Sequence, residues 1–320
     1  MKVLGYLGID VGSISTNLVL IDATGALVAK RYLRTRGQPI RAVQEGLKAL
    51  QADLPASLTV AGVGTTGSGR FITGLLAGAD VVKNEITAHA LAAIHSHPAV
   101  QTVLEIGGQD SKGILIRNRT VVDFDMNTVC AAGTGSFLDQ QAFRLGLPIE
   151  NFGSLALGSK RPTRIAGRCT VFAESDMIHK QQMGYAVEDI VAGLCRALVR
   201  NYLNNLFKGK EIREPVLFQG GVAANRGMVR AFEEALGLPV IVPEHFEVMG
   251  ALGMALLARD TGRERATSRF RGFDLDQVAY QFDTLECNGC PNQCEVFSFQ
   301  AEGDERIYWG DRCGRWENMV

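Results

Sequence analysis

The sequence has no run of 18 or more apolar residues, so nothing in it predicts a membrane-spanning segment. It also has no charge bias, because 33 Lys and Arg residues balance 34 Asp and Glu residues, for a formal net charge of −1. That balance argues against a protein that coats nucleic acid or binds membranes through a polybasic patch. Residues 1–10 lead directly into an apolar strand pattern, so we expect no signal peptide. A cytoplasmic protein, in which disulfides are rare, is therefore predicted.

The phosphate-loop pattern GxxxxGK[ST] is absent as well, which excludes a Walker-type nucleotide site. Glycine, by contrast, is abundant, at 36 of 320 residues, against about 7% in an average protein. A chain of 320 residues is near the upper limit for one hydrophobic core. The length therefore predicts one large bilobal unit or two domains.

The predicted strands form two similar triplets. Their ranges are 3–10, 17–22 and 27–33, and then 102–106, 113–116 and 120–124. The first strand of each triplet ends in a glycine-containing turn, GIDVGS or EIGGQDS. This weak internal repeat predicts two similar lobes. Apolar spacing predicts helices between and after the triplets, over 40–51, 84–95, 135–145, 171–182, 187–206, 228–236 and 248–258.

Three separate loops, each after an apolar strand, have the composition of phosphate-binding turns. They are residues 10–15 (DVGSIS), 105–110 (EIGGQD) and 220–225 (GGVAAN). Glycines in such turns let backbone N–H groups approach a polyphosphate, and a neighbouring carboxylate suits Mg²⁺ held through water. One loop alone is equally consistent with a tight turn, but three in this order favour nucleotide binding. The run GVGTTGSGR at 62–70 fits either phosphate contact or a glycine-rich turn at a lobe contact.

These residues resemble the actin-like ATPase superfamily, which includes sugar kinases and heat-shock chaperones. The resemblance covers residues 3–258 and implies that the first two loops grip the phosphates from opposite lobes while the third contacts the adenosine. We therefore expect an α/β, two-lobed actin-like (RNase H-like) fold with duplicated strand-hairpin lobes. The expected parts are lobe I at 1–97 with a helix at about 246–260 packing back on it, lobe II at 98–245, and a linker with a cysteine-rich module at 261–320.

The expected ligand is ATP or ADP with Mg²⁺. We hypothesise that Asp10 and Glu105 position the Mg²⁺ waters and that Gln109 or Asp110 orients the attacking water. Which of Gln109, Asp110 and Glu105 is catalytic does not follow from the sequence. The residues predicted to contact the cofactor are Gly12, Ser13, Ser15, Gly107, Gly108, Gly133, Thr134, Gly135, Gly220, Gly221 and Asn225.

Two of the seven cysteines, Cys130 and Cys169, lie just before predicted helices. A helix N-terminus favours the thiolate, which is the form that binds a metal cluster or reacts with an oxidant. Two thiolates are half of the set that an iron–sulfur cluster needs, and a C2 dimer would supply the other half. The alternative is that both are small buried hydrophobic residues, as we expect for Cys195 in an apolar helix face.

The strings NTVCAAGTGSFLDQQAFRLG (127–146) and CTVFAESDMI (169–178), with GIDVGS, EIGGQDSK and QGGVAAN, resemble a particular family. It comprises the activators (component A) of 2-hydroxyacyl-CoA dehydratases and the ATPase subunits of benzoyl-CoA reductases. The resemblance implies a homodimer with one 4Fe–4S cluster, bound by Cys130 and Cys169 of each chain. It also implies an ATPase that passes low-potential electrons from ferredoxin or flavodoxin to a dehydratase or reductase.

The remaining four cysteines form a C-x2-C-x3-C pattern followed, after 18 intervening residues, by a fourth. They are Cys287, Cys290, Cys294 and Cys313. Four cysteines in so short a segment predict a metal, either zinc in a Cys₄ site or a second 4Fe–4S cluster. This tail resembles the segment that follows the activase module in longer, multidomain members of the family.

Two alternative functions stay open at this point. One is a sugar-kinase-type phosphotransferase on the same fold, which would give Cys130 and Cys169 no reason to lie at two helix starts. The other is a non-redox nucleotide switch whose cysteines bind zinc. Iron and labile sulfide in the purified protein would favour the electron-transfer function over both.

Overall fold

The computed structural model describes residues 3–55, 57–127, 130–167, 169–262, 267–301 and 306–316. They form two compact units, unit 1 with residues 1–84 and 250–320, and unit 2 with residues 85–249. Each unit contains a five-stranded mixed sheet with helices, and unit 1 also contains a three-stranded sheet. The predicted α/β class with duplicated strand-hairpin units and a small C-terminal module is confirmed. Among the described residues, no helix is long and apolar enough to cross a membrane.

The elements of the described residues have the following bounds. The strands are β1 (Val3–Val11), β2 (Ser15–Asp22), β3 (Leu27–Arg34), β4 (Leu58–Thr66), β5 (Val81–Val82), β6 (Thr102–Ile106), β7 (Ser111–Arg117), β8 (Thr120–Asn127), β9 (Val216–Gln219), β10 (Val240–Ile241), β11 (Tyr280–Glu286), β12 (Glu295–Ala301) and β13 (Ile307–Trp309). The helices are α1 (Pro39–Gln51), α2 (Arg70–Ala77), α3 (Glu85–Ser96), α4 (Gly135–Arg144), α5 (Phe152–Gly158), α6 (Thr170–Gln182), α7 (Val187–Leu206), α8 (Arg226–Leu236) and α9 (Met249–Gly262).

The sheet of unit 1 has the order β3-β2-β1-β4-β5, with β1 to β3 antiparallel and β4 and β5 parallel to β1. Helix α9 packs so closely on β1 and β4 that side chains do not fit between them. A Cβ on Gly8 would lie 1.8 Å from the carbonyl oxygen of Ala251, and one on Gly64 would lie 2.6 Å from that of Met254. Part of the glycine excess therefore serves helix-on-sheet packing.

The sheet of unit 2 repeats this arrangement with the order β10-β9-β6-β7-β8. Strands β6 to β8 are antiparallel, and β9 is parallel to β6. Helix α7 lies in the core, where Leu194, Leu198 and Tyr202 are at most 1% exposed. The predicted apolar face of this helix is confirmed, and it supplies the rigid support on which the loops of unit 2 rest.

The structure differs from the sequence predictions at several places. Helix α3, which we expected in lobe I, belongs to unit 2, and the C-terminal segment belongs to unit 1. At the start of the predicted linker and cysteine-rich module (261–320), residues 263–266 lie outside the described ranges, and residues 267–276 pack on the rest of unit 1. Leu275 is fully buried, and Phe270 and Phe273 contact the same core. The charged residues between these apolar ones hide their spacing in the sequence.

Candidate functional site

The first acidic turn lies at the end of β1 in unit 1. Asp10 pairs across the strands with Asn17 of β2. The N–H of Gly12 donates to the carbonyl of Ser15 at 2.9 Å, and the hydroxyl of Thr35 donates to the carbonyl of Gly12 at 2.8 Å. These bonds close the hairpin turn and fix the backbone beside the Asp10 carboxylate.

The glycine-rich run at 62–70 completes this turn. Strand β4 is parallel to β1, and its last residue, Thr66, lies next to Asp10 in the register. Gly67 follows with φ +90°, and a Cβ there would lie 2.4 Å from the Val11 carbonyl oxygen and 2.7 Å from Asp10 Oδ1. Only glycine tolerates both this φ and this approach. The run is therefore a turn that packs its backbone against the acidic residue of its own unit.

The second acidic turn, in unit 2, has the same construction with a different partner. Glu105 at the end of β6 pairs with Lys112 of β7, and the N–H of Gly107 donates to the carbonyl of Asp110 at 3.0 Å. Lys112 Nζ lies 3.1 Å from Glu105 Oε2 and 2.9 Å from Asp110 Oδ2. Lys112 is the last residue of the motif EIGGQDSK, but the motif alone predicts no role for this lysine.

Lys112 and Glu105 are buried, with side chains only 4% exposed. Burial disfavours the charged ammonium, but the attraction of Glu105 and Asp110 outweighs that cost, so the pKa of Lys112 lies well above its usual range. The Tyr202 hydroxyl donates to the Lys112 carbonyl at 2.6 Å and accepts the Glu105 N–H at 3.1 Å. Helix α7 thus holds the buried ion pair in place.

The third loop approaches the carboxylate of the second acidic turn through a glycine, in the same way as Gly67 approaches that of the first. Strand β9 is parallel to β6, with Gln219 next to Glu105 in the register. Gly220 follows with φ +89°, and a Cβ there would lie 2.4 Å from the Ile106 carbonyl oxygen and 2.7 Å from Glu105 Oε1. The predicted second and third loops therefore come together at Glu105, and the repeat extends to a fourth loop that the sequence alone did not pair.

The start of α4 is bonded directly to the second turn. The N–H of Gly135 donates to the Gly107 carbonyl at 2.9 Å, and the N–H of Ser136 donates to the Gly108 carbonyl at 2.8 Å. A Cβ on Gly135 would lie 3.0 Å from the Gly107 carbonyl oxygen. The helix that follows Cys130 is thus held by the two glycines predicted to contact phosphate.

Cys130 and Cys169 both occupy N-cap positions. Cys130 precedes a short 3-10 turn, and its N–H donates to Asn127 Oδ1 at 3.0 Å while Asn127 Nδ2 donates to its carbonyl at 2.8 Å. Cys169 begins α6, and its carbonyl accepts the N–H of Ala173 at 3.0 Å. Both are free thiols of intermediate exposure, so neither is the buried core residue that the alternative interpretation required.

One side chain of α7 is bonded to the Cys169 loop and lies next to the Cys130 loop. Asn201 Nδ2 donates to the carbonyl of Gly167 at 2.7 Å, two residues before Cys169. Asn201 Oδ1 lies 3.1 Å from the position of a Cβ on Gly133, three residues after Cys130. Asn201 is a functional candidate that the sequence does not single out, because it is one of three asparagines in α7.

Large apolar side chains are exposed on the helices that follow the two cysteines. Phe143 on α4 is 80% exposed, and Val171 and Phe172 at the start of α6 are 66% and 65% exposed. Apolar side chains grouped in this way mark surfaces that contact other proteins.

The other predicted site residues divide by exposure. Gln109 is exposed, and Asp110 is partly buried by its ion pair with Lys112. Asn225 accepts the N–H of Met228 at 3.2 Å and so caps α8, which gives it a structural role. Ser13 and Gly221 are exposed, Ser15 is partly buried, and Thr134 is buried and donates to the Ala131 carbonyl at 2.8 Å.

Cys195 and His89 are both buried. Burial raises the pKa of the Cys195 thiol to about 12, and this confirms the expectation of an inert core residue. His89 Nδ1 lies 2.9 Å from Gln219 Nε2, and burial, aided by the charge of Lys112, lowers the pKa of His89 to about 3. His89 is therefore a neutral hydrogen-bond acceptor behind the third loop.

For the metal predictions, the structure gives the positions and exposure of the cysteines. Within the described ranges, no group of three or more His, Cys, Asp or Glu side chains is arranged to hold a metal ion. Cys130 and Cys169 supply two thiols per chain, which is the number that a cluster shared by two chains requires. The four C-terminal cysteines are all free, with Cys287 buried, Cys294 of intermediate exposure, and Cys290 and Cys313 exposed.

Duplicated hairpin turns, each with a carboxylate and a glycine-lined approach, define a two-unit α/β ATPase fold. Residues 7–258 match the model of the BadF/BadG/BcrA/BcrD ATPase family, and the chain belongs to that family. It is similar to the (R)-2-hydroxyglutaryl-CoA dehydratase activating ATPase of Acidaminococcus fermentans, with 37% identity over 258 residues, 79% of this chain and 96% of the relative.

Solved structures agree with this assignment. The activator of the 2-hydroxyisocaproyl-CoA dehydratase from Clostridium difficile, with bound ADPNP, has a TM-score of 0.76 and 32% identity, over 81% of this chain and 96% of that one. A ROK family glucokinase from Streptomyces griseus has a TM-score of 0.51 at 14% identity, over 80% of this chain and 99% of that one, and shows a shared fold alone. The predicted relationship to the dehydratase activators is thus confirmed.

Proposed function

We propose that the chain binds and hydrolyses ATP to drive low-potential, single-electron transfer from a dimer-bridging 4Fe–4S cluster to a CoA-thioester dehydratase or a related double-cluster reductase. The observation that carries the proposal lies in unit 2. The turn with Gly107 and Gly108 is hydrogen-bonded to the start of α4, and Cys130 lies five residues before that start. A change at the phosphate turn therefore has a direct path to a cluster ligand.

The nucleotide part of the proposal uses the acidic turns. Asp10 has a neutral cross-strand partner, Asn17, whereas Glu105 is neutralised by Lys112. Because an ion pair with Lys112 already engages Glu105, we assign the larger share of Mg²⁺ binding through water to Asp10. Gln109 is exposed while Asp110 is paired with Lys112, so we assign the orientation of the attacking water to Gln109. Backbone N–H groups near Gly12, Gly107 and Gly220 would contact the nucleotide.

The cluster part of the proposal uses Cys130 and Cys169. Both thiols are free and partly exposed, and Asn201 bonds to the loop of Cys169 and lies next to that of Cys130. When bound, a 4Fe–4S cluster accepts and donates one electron at a potential set by its burial and by hydrogen bonds to its sulfur atoms. The first backbone N–H groups of the 3-10 turn and of α6, which have no partners within the helix, follow Cys130 and Cys169 directly.

The homodimer part of the proposal rests on thiol number and on surface. Each chain offers two of the four thiolates, so a C2 axis through the cluster would complete the set. The exposed Val171 and Phe172 lie two and three residues after Cys169. Covering them in a dimer would remove apolar area from water and also exclude water from the cluster.

The proposed acceptor follows from the names of the relatives, and the proposed donor and compartment follow from the family resemblance. The acceptor is a dehydratase or reductase, the donor is ferredoxin or flavodoxin, and the compartment is the cytoplasm. A second metal at Cys287, Cys290, Cys294 and Cys313, either zinc or a 4Fe–4S cluster, is also part of the proposal. The sugar-kinase alternative is supported by the shared fold alone, and the zinc-switch alternative by the thiols alone.

The test is metal analysis of anaerobically purified protein with matched cysteine variants. We expect about four iron atoms and four sulfides per dimer at Cys130 and Cys169, and a dimer mass by light scattering. Cys130→Ser and Cys169→Ser should each reduce this iron at least ten-fold. Cys195→Ala, which changes a buried thiol remote from ligand chemistry, is the control and should keep it. Full iron in Cys130→Ser would contradict the cluster assignment, and zinc in its place would favour the nucleotide switch.

A further inference from the structure

The three-stranded sheet of the C-terminal segment brings its connecting loops to one end. Its order is β11-β12-β13, with both neighbouring pairs antiparallel. Glu286 at the end of β11 pairs with Glu295 at the start of β12, and Trp309 at the end of β13 pairs with Phe297 of β12. The loop from β11 to β12 and the segment after β13 therefore leave the sheet at the same end of its strands.

Cys287 and Cys294 extend the ladder between β11 and β12 by one pair. Each is adjacent to a strand end, and the Cys287 N–H donates to the Cys294 carbonyl at 2.8 Å. Residues directly opposite in an antiparallel ladder lie on one face with Cβ atoms about 4.5–5.5 Å apart. Two thiolates on one tetrahedral zinc ion, with Zn–S bonds of about 2.3 Å, fit this spacing.

The other two cysteines lie in the segments at this end of the sheet, Cys290 in the loop from β11 to β12 and Cys313 after β13. Cys290 begins a tight turn in which its carbonyl accepts the N–H of Gln293 at 3.2 Å. The segment after β13 reaches the same turn, because a Cβ on Gly289 would lie 2.8 Å from Arg315 Nη1 and 3.4 Å from Cys287 Sγ. Cys313 begins this approach, two residues before Arg315, and its exposed thiol donates to Asp311 Oδ2 at 3.3 Å.

We propose that Cys287, Cys290, Cys294 and Cys313 form one tetrathiolate site for Zn²⁺, in which the opposed pair Cys287 and Cys294 is the fixed half. No three of these thiols are arranged for an ion among the described residues, so Cys290 and Cys313, both exposed, must move towards the fixed pair as the ion binds. The inference deepens the second-metal part of the proposed function and requires neither ATP nor the bridging cluster.

Zinc fits better than a 4Fe–4S cluster because of this opposed pair. A single ion draws its thiolates close together, whereas a cubane spreads its four ligands around a larger body. The sheet is also small, since β11 is largely exposed and the buried apolar side chains of β12 are Val296, Phe299 and Ala301. A structural ion stabilises a module of this size by tying its loops together.

The experiment measures zinc and iron separately in the full chain, purified anaerobically. We expect about one zinc per chain in the wild type, in Cys195→Ala and in the Cys130→Ser variant that tests the bridging cluster. Cys294→Ser and Cys313→Ser should lose zinc at least ten-fold and keep their bridging iron. Because the two metals are lost in different variants, failure of this inference is distinguishable from failure of the proposed function.

A second readout needs no variant that must fold. Titration of the wild type with an organomercurial in the presence of a zinc-sensitive dye should release zinc in step with modification of four thiols. Two results would overturn the inference: zinc that Cys294→Ser and Cys313→Ser retain, or iron and sulfide that only the C-terminal variants lose.

Discussion

The two acidic turns have similar backbone geometry, but their cross-strand partners differ in charge. In both, a glycine with φ near +90° places its Cα so that a Cβ would lie 2.7 Å from a carboxylate oxygen, of Asp10 in one unit and of Glu105 in the other. The cross-strand partner is Asn17 in the first turn and the buried Lys112 in the second. The repeat therefore preserves the loop geometry but not the charge of the cross-strand partner, and the proposed function gives Mg²⁺ binding chiefly to Asp10.

The largest expected effect is on stability, from breaking the buried pair. Lys112→Met should lower the free energy of unfolding by about 3–5 kcal/mol, because it leaves Glu105 charged and buried without its partner. Denaturant unfolding measures this, with Lys48→Met as the control at a lysine that is 46% exposed. The double variant Glu105→Gln, Lys112→Met should recover much of the loss. A cost below about 1 kcal/mol for Lys112→Met would contradict the assignment.

The next effect separates the two carboxylates by activity. Asp10→Asn should lower the kcat of Mg²⁺-dependent ATP hydrolysis about 10²-fold, because the carboxylate that holds the metal waters is lost. Glu105→Gln should lower kcat less and lower the stability more. Steady-state ATPase assays over a Mg²⁺ titration, run beside unfolding curves, compare the two. Equal losses of kcat in both variants would remove the distinction between the turns.

The third effect tests the shared geometry. Gly67→Ala and Gly220→Ala should each lower the free energy of unfolding by about 1–3 kcal/mol, because each Cβ would collide with a carbonyl oxygen. Gly237→Ala is the control, since Gly237 also has a positive φ, +66°, but no atom within 4 Å of a Cβ. Calorimetry or denaturant unfolding gives the differences. If Gly237→Ala costs as much as the other two, then backbone conformation alone explains the effect.

The effect that is smallest at neutral pH is the acid sensitivity that His89 gives to unit 2. All five histidines lie in unit 2. The pKa of His89 is lowered from 6.5 to about 3, so the unfolded chain binds more protons between these values. His89 therefore contributes stability that is present above pH 6.5 and lost as pH falls towards 3. Its part of the slope approaches about 1.4 kcal/mol per pH unit.

Unfolding curves at several pH values measure that slope. His89→Gln should flatten it between pH 6 and about 4, whereas His179→Gln, at an exposed position on α6, should leave it unchanged. An unchanged slope in His89→Gln would show that other groups dominate acid unfolding.

The sequence predicted elements whose apolar spacing or glycine pattern is local. Strand β6 was predicted with the observed bounds, and the two hairpin triplets were predicted because their turns stand out. It did not predict α2, because the glycines around Gly67 suggested a loop. It did not predict β11 to β13 either, because cysteines and charged residues interrupt their apolar pattern.

Long-range contacts explain what the sequence could not predict of the site. The acidic and cysteine residues stand in readable motifs. Lys112 and Asn201 do not, because their importance depends on partners such as Glu105 and Gly167 that only folding brings near. A lysine in a strand or an asparagine in a helix has no local signature of a buried bond.

The most direct test of the proposed function is single-turnover electron transfer. Chemically reduced wild-type protein is mixed rapidly with an oxidised 2-hydroxyacyl-CoA dehydratase, and the visible absorption of the iron–sulfur clusters is followed with MgATP, with MgADP and without nucleotide. If the proposed function is right, electrons are transferred with MgATP. The rate is then at least ten-fold lower with MgADP, without nucleotide and in Asp10→Asn. Equal rates with and without ATP would contradict it.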